Sequence, residues 1–333
     1  MPVLNEPFLV HVIRQLKQYG VTEIILTQGH LSNSLRDYFG NGEAIGVSIK
    51  YVIEPEPLGT GGAIKNAERL LNDGTFFVLN GDIFTTIDLL EMLNFHRQQK
   101  AAVTLASIPV PDPTPYGLIE TDNDNRILTF REKPSREHIT TNFINAGIYL
   151  IEANVLKSIA SSRSVSVERE VFPDLLKSGK KLYAYKTERY WIDIGSTQKY
   201  FQLNVDLAGG DVIGFSENPN LNPNAEVHPS AKLSGRVILG DGCCVEAETI
   251  INGPAVIGNN CRIGAHSVLK QSVLWDSVCV GGYAIVEGSV IGSDSLIGSN
   301  TNISNSILSD NTYIGRDLSL AANSRIWPGT IIS

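Results

Sequence analysis

Four short stretches carry residue types that could bind and activate phosphates. "EPEPLGTGGAI", residues 54–64, follows an apolar run and opens a helical one. Its small residues and free backbone N–H groups would let a nucleotide approach closely; a plain turn is the competing reading. "VLNGDIF", residues 78–84, sets Gly81 and Asp82 directly after an apolar strand, where a carboxylate can hold Mg²⁺ against phosphates. An N-capping aspartate would look the same. "YGLIETDNDNRILTFREKP", residues 116–134, contains a hairpin turn and ends in Glu132 and Lys133. These offer a carboxylate for sugar hydroxyls beside a cation for a phosphate, or else a solvated surface pair. "YWIDIGS", residues 190–196, places Asp193 among aromatic and aliphatic neighbours, a costly position for a charge unless something binds it. A cap for a helix over residues 196–207 is the alternative.

The elements that must position these residues alternate helix and strand from Pro7 to about Gly210. Phe8, Leu9, Val12, Ile13 and Leu16 recur with helical period, predicting a core-packing helix over 8–19. Strands are expected at 23–27, 48–53 and 76–79, and helices at 31–39 and 63–71. Such alternation predicts a mainly parallel sheet wrapped by helices, with the ligand site at the carboxyl ends of the strands.

The period then changes. After Gly209-Gly210 and the stretch "SENPNLNPNAE", aliphatic residues recur every six positions: Leu239, Val245, Ile251, Ile257, Ile263 and Leu269. They continue as Leu274, Val280, Val286, Ile291, Ile297, Ile303, Leu308, Ile314 and Leu320. Gly240, Gly258, Gly264, Gly281, Gly292, Gly298 and Gly315 fall where a coil of three flat faces would turn its corners. This is the hexapeptide repeat of a parallel β-helix, in which each coil buries its aliphatics against the next.

The 333 residues, 42% hydrophobic and 19% charged, suffice for two soluble domains. A net charge of -8 gives no basic footprint for nucleic acid or an anionic membrane. No run is long enough to span a bilayer and no secretory signal is visible, so a cytoplasmic protein is expected. Cys243, Cys244, Cys261 and Cys279 lack zinc-type spacing and read as reduced thiols.

Taken in order, and together with "NFINAGIYLI", "SVEREVFPDLL", "PSAKLSGRVILG" and "QSVLWDSVCVGG", these stretches resemble the sugar-phosphate nucleotidylyltransferases. The resemblance is strongest to the mannose-1-phosphate guanylyltransferase-like branch. It implies a Rossmann-like α/β catalytic domain over 1–210, a linker over 211–226 and a left-handed β-helix over 227–333. It also implies transfer of a nucleotide from an NTP to a sugar 1-phosphate with release of pyrophosphate, and a homo-oligomer formed through the β-helix. By the same resemblance Asp82 and Asp193 are the metal-binding pair for Mg²⁺. Lys133 holds the sugar phosphate, Glu132 grips sugar hydroxyls, and Gly117, Asn145 and Gly147 line the sugar pocket. The resemblance also assigns Glu54, Pro57, Gly59, Thr60 and Gly81 to the nucleotide, with Gly59 letting the loop pack against the base, and Glu54 stands where thymidylyl- and uridylyltransferases offer a glutamine. A carboxylate fits the two adjacent donors of guanine, which favours GTP, although a backbone contact could read the base instead and thymine or uracil stays open. His266 in "RIGAHSVL" raises acyl transfer as a rival reading, against a plain surface histidine.

In that family the chain starts with a strand and a Gly-rich loop of the form GGxGTRLxPLT, which wraps the triphosphate. Met1 corresponds to a residue beyond it, so roughly 25 to 30 family residues have no counterpart here. Two expectations follow from the resemblance: a fragment of a complete enzyme, favoured because Asp82, Lys133 and Asp193 are present, or a shortened regulatory relative. In either case the chain as written is expected to be poorly stable and slow.

Overall fold

The computed structural model describes residues 1–29, 33–71, 74–161, 163–215 and 224–333. Leu31, the expected start of the second helix, and residues 216–223 of the Asn/Pro-rich stretch lie outside them. The chain divides into two compact units, one of residues 12–191, the other of residues 1–11 with 192–333.

In the first unit the expected alternation holds. Helix Phe8–Gln18 enters it, followed by strand Glu23–Gly29, helix Asn33–Phe39, strand Ser48–Glu54, helix Gly59–Asn66 and strand Thr75–Leu79. Glu23–Gly29 and Ser48–Glu54 pair in parallel, as a helical crossover requires. The larger sheet departs from expectation. Its order is Leu182–Lys186, Val103–Pro109, Phe143–Glu152, Gly117–Thr121, Ile127–Glu132, with Thr75–Leu79 also on Phe143–Glu152. Only Leu182–Lys186 runs parallel to its neighbour; the other pairs are antiparallel. The short turn from Thr121 to Ile127 permits only an antiparallel return, and Asp122 tightens it by accepting from the backbone N–H groups of Asp124 (3.0 Å) and Arg126 (2.8 Å). Tyr149, Phe172, Leu105 and Val103 fill the core beneath the sheet.

In the second unit the chain winds into parallel sheets of seven, five and six strands, a β-helix of about six coils. Of the fifteen aliphatics read as inward-facing, all from Leu239 to Ile314 are buried, and Leu320 at the last coil is partly so. Helix Thr197–Gly209 lies on strand Ala255–Ile257, which buries the outward residues Ile238 and Val256 as well. Asn5 Nδ2 donates to Ile257 O (2.7 Å) and Trp275 Nε1 to the Tyr200 hydroxyl (2.9 Å), tying residues 1–11 and that helix to the coils. Another face stays open: Leu296, Tyr313 and Ile331 stack in register, pointing outward and exposed.

The corner glycines have a reason other than backbone freedom. A Cβ on Gly258, Gly281 or Gly298 would lie 2.5–2.6 Å from backbone or side-chain atoms of the next coil. The left-handed corner positions are taken instead by Asn260, Ser277, Asp294, Asn300, Asn311 and Asp317, mostly residues that tolerate that conformation. His266 and Tyr283 hold two of these corners, their rings stacked at 4.7 Å. Among the described residues no helix is long and apolar enough to cross a membrane.

Candidate active site

Strand Phe143–Glu152 is the spine of the site. Its pairing with Val103–Pro109 slips between Asn145 and Tyr149, a bulge whose turning point is Gly147 at φ +68°. The bulge keeps its polar groups satisfied. Gly147 N donates to Asn145 Oδ1 (3.0 Å), Trp191 Nε1 donates to Ala146 O (2.8 Å), and Asn80 N donates to Gly147 O (2.9 Å). The last bond fixes the turn Asn80–Asp82 against the bulge. Asp82 and Gly81 end up exposed, and nothing lies within 4 Å of where a Cβ on Gly81 would sit.

The hairpin of Gly117–Thr121 and Ile127–Glu132 supplies the second wall. Gly117 is the register partner of Glu132, and a Cβ on Gly117 would meet Glu132 Oε2 at 2.8 Å and the Phe130 ring at 2.7 Å. Half-burial pushes the Glu132 carboxyl above the usual range. Glu168 adds to the rise, while Lys133 and Arg169 oppose it. Lys133 is exposed and sits at φ +47°, its N–H held by Tyr116 O (3.0 Å), so the chain reverses there and frees the ammonium.

The Gly-rich stretch corrects one expectation. Gly61 and Gly62 do not offer free N–H groups, since both donate to Val165 O, at 2.8 and 3.3 Å. Small residues are required here because segment 163–165 packs on the turn. A Cβ on Gly59 would lie 2.7 Å from Val165 O, one on Gly62 2.9 Å from Arg163 O. Glu54 closes the strand, and its Oε2 accepts from Leu58 N (3.1 Å), which leaves Oε1 available. Pro57 is exposed, and Thr60, also exposed, donates to Glu168 Oε2 (3.0 Å) and accepts from Val167 N (3.1 Å). Glu168 and Tyr149 were not individually legible in the sequence. The only signal was the carboxylate following the small polar Ser166 in "SVEREVFP".

Asp193 belongs to the other unit, at the end of strand Trp191–Asp193. Its Oδ2 pairs with Lys199 Nζ (2.5 Å) and its Oδ1 accepts from Gly195 N (3.3 Å). Helix capping falls to Ser196, whose hydroxyl accepts from Lys199 N (3.3 Å). Among the described residues no three of His, Cys, Asp and Glu cluster as a ready metal cage. The exposed oxygens of Asp82 are the hard donor type that suits Mg²⁺, an ion that takes few protein ligands and completes its shell with water and phosphate. A cavity of about 520 Å³ lies elsewhere, at the Glu152 end of the same strand. Of the basic residues that line it, Arg97 and Lys100 end helix Leu89–Gln99, where the dipole favours a cation, and Lys180 and Lys181 lie on the connection from helix Phe172–Lys177 into strand Leu182–Lys186.

An α/β unit that sets Asp82, Glu132, Lys133 and close-packed glycines at strand ends, in a chain that also carries hexapeptide coils, has the architecture of a nucleotide-handling transferase. Residues 1–210 match the family model Nucleotidyl transferase, and residues 244–333 match the GMPPB C-terminal domain. The chain belongs to the nucleotidyl transferase family. It is 36% identical to a mannose-1-phosphate guanylyltransferase of Mycobacterium tuberculosis over 84% of this chain and 74% of that protein. Against a UTP--glucose-1-phosphate uridylyltransferase of Synechocystis sp. the identity is 30%, over 83% and 76%. Among solved structures, HddC from Yersinia pseudotuberculosis complexed with GMP-PN aligns at a TM-score of 0.55 and 26% identity, covering 62% of this chain and 88% of that one.

Proposed function

We propose that the chain binds GTP and mannose 1-phosphate and joins them to GDP-mannose with release of pyrophosphate. The observation that carries this reading is the bulge at Gly147. It holds the Asn80–Asp82 turn by a backbone bond and bears Asn145 on the same strand. On the reading, Lys133 neutralises the sugar phosphate, whose oxygen attacks the α-phosphorus in line. That oxygen is already anionic, so no general base is required, and the protein contributes position and charge. Glu132 and Asn145 orient the sugar hydroxyls. Gly117 and Gly147 leave room for the ring, and Gly59 and Thr60 set the turn that the nucleotide meets. Asp82 would hold Mg²⁺, which would supply charge neutralisation at the phosphates, and Asp193 is the further carboxylate that the resemblance assigns to the metal. Homo-oligomerisation through the β-helix belongs to the same reading, supported by the open column Leu296, Tyr313, Ile331.

Base choice tests the nucleotide half. With one oxygen held by Leu58 N, Glu54 keeps Oε1 to accept from guanine. In a Glu54→Gln protein the amide oxygen keeps the Leu58 bond while the amide nitrogen donates where the base has donors. The preference for GTP over UTP, measured by calorimetric titration, falls by about tenfold, the low end of the roughly 1–3 kcal/mol of a bidentate base contact, because one oxygen is already engaged by Leu58 N. An unchanged preference would remove Glu54 from base reading.

The sugar half has a pH signature. Because the Glu132 carboxyl lies above the ordinary 4.5, it takes up its proton at a higher pH than an unperturbed carboxyl as the medium is acidified. Affinity for mannose 1-phosphate therefore declines with falling pH from above 4.5, as the acceptor charge is lost. The Glu132→Gln protein binds more weakly and keeps only the decline that protonation of the phosphate itself produces.

A further inference from the structure

The segment before Phe172 lies under the Gly-rich turn. Val165 accepts from Gly61 and Gly62, its own N–H donates to Leu58 O (2.8 Å), and Val167 N donates to Thr60 Oγ1. The chain then makes a single π-helical turn, Val167–Val171, a wide turn frequent at functional sites. That turn aims Glu168 inward. Its Oε2 accepts from Thr60 Oγ1 (3.0 Å) and Ser166 Oγ (2.9 Å), and its Oε1 from the hydroxyl of fully buried Tyr149 (3.1 Å).

A carboxylate can only accept, and this fixes every donor beyond it. Tyr149 must spend its single proton on Glu168, so the phenol oxygen accepts from Asn145 Nδ2 (2.8 Å). Asn145 is thereby turned with Oδ1 toward Gly147 N (3.0 Å). An unbroken hydrogen-bond chain thus runs from Thr60 through Glu168 and Tyr149 to Asn145 and the bulge. A half-buried carboxylate held, among the described residues, by three hydroxyls and no cation is an expensive way to join elements that apolar contacts could join. What it adds is direction.

Resting on the substrate assignment given above, we propose that Glu168 is a positioning residue that couples the nucleotide and sugar-phosphate sites through Tyr149. Occupation of the turn at Thr60 steadies Glu168, which locks Tyr149 and presents Asn145 to the sugar; the reverse holds by thermodynamic reciprocity. The raised Glu132 carboxyl belongs to the same arrangement, since Glu168 is among its causes.

The test is a binding cycle by calorimetry on the intact chain. The α,β-methylene analogue of GTP, which cannot release pyrophosphate and stands for GTP throughout the cycle, is titrated with Mg²⁺, with and without saturating mannose 1-phosphate, then with glucose 1-phosphate in its place. The native protein binds GTP at least about 5-fold more tightly when the sugar phosphate is present. Tyr149→Phe removes only the hydroxyl and keeps the ring against Phe172 (centroids 5.3 Å apart), and Glu168→Gln keeps the shape of the side chain. Both bring the coupling factor close to one while each ligand still binds. In Glu168→Gln the acid limb of sugar-phosphate affinity also moves to lower pH. Coupling that survives both substitutions, or a native protein that binds the two ligands independently, overturns the inference and leaves the substrate assignment standing. A native protein that binds neither GTP nor either sugar phosphate overturns both. If Tyr149→Phe fails to fold, Glu168→Gln decides by the same criterion.

Discussion

A Gly147→Val protein loses mannose 1-phosphate binding and melts well below the native chain. Gly147 stands at φ +68°, and a Cβ there would lie 2.4 Å from Ile83 Cδ1 and 2.6 Å from Asn80 Nδ2. The left-handed conformation costs a side chain about 1–2 kcal/mol, and overpacking adds about 1–3 kcal/mol. Part of the clash is relieved by swinging the Ile83 and Asn80 side chains aside; the rest pushes the Asn80–Asp82 turn away and weakens the bond from Asn80 N to Gly147 O. A summed cost of about 2–5 kcal/mol lowers the melting temperature by roughly 5–20 °C for a domain of this size. Calorimetric melting and sugar-phosphate titration read the two effects together. Gly81→Ala is the contrasting substitution: nothing lies near its Cβ and its φ is ordinary, so the melting temperature stays within a degree or two. Equal melting of the two proteins would mean that the bulge does not hold the turn.

What the sequence made legible follows the range of the interactions. The β-helix core was readable residue by residue, because a six-residue period is local and each inward aliphatic packs on its equivalent one coil away. Helices Phe8–Gln18 and Thr197–Gly209 were readable for the same reason. The sheet was not: alternation of helix and strand says that strands exist, whereas the antiparallel insertion of Phe143–Glu152 between Val103–Pro109 and Thr75–Leu79 depends on partners far along the chain. The Gly-rich turn was misread in the same way. Its glycines look like nucleotide-facing freedom until Val165, about a hundred residues on, supplies the carbonyl that takes their N–H groups. Glu168 is the strongest case, with ties reaching back 108 residues to Thr60 and 19 to Tyr149. Asp193 shows the limit of an environment argument. Its aromatic and aliphatic neighbours in sequence called for a counter-charge, and that charge comes from Lys199, six positions along the chain.

The Asp82→Asn substitution separates metal binding from folding more cleanly than any other. Asp82 is exposed, and the turn that carries it is held by backbone bonds from Asn80 and Ile83, none of which uses the Asp82 side chain. Stability is therefore unchanged within about 0.5 kcal/mol, the usual effect of a surface substitution. The loss falls on Mg²⁺. Asparagine keeps an oxygen of the right hardness but no charge, so the Mg²⁺–triphosphate loses its anionic anchor on the protein. The enhancement of GTP binding by Mg²⁺ disappears, and nucleotidyl transfer, followed as pyrophosphate release, drops by about 100-fold to 1,000-fold, the scale for removing one electrostatic contact to a developing charge. Asp193→Asn makes the complementary case. There the Lys199 ion pair is lost along with any metal contact, so stability and Mg²⁺ dependence change together. An Asp82→Asn protein that still responds to Mg²⁺ would move the metal to other oxygens. In that case the exposed aspartate after strand Thr75–Leu79 does no more than shape the turn.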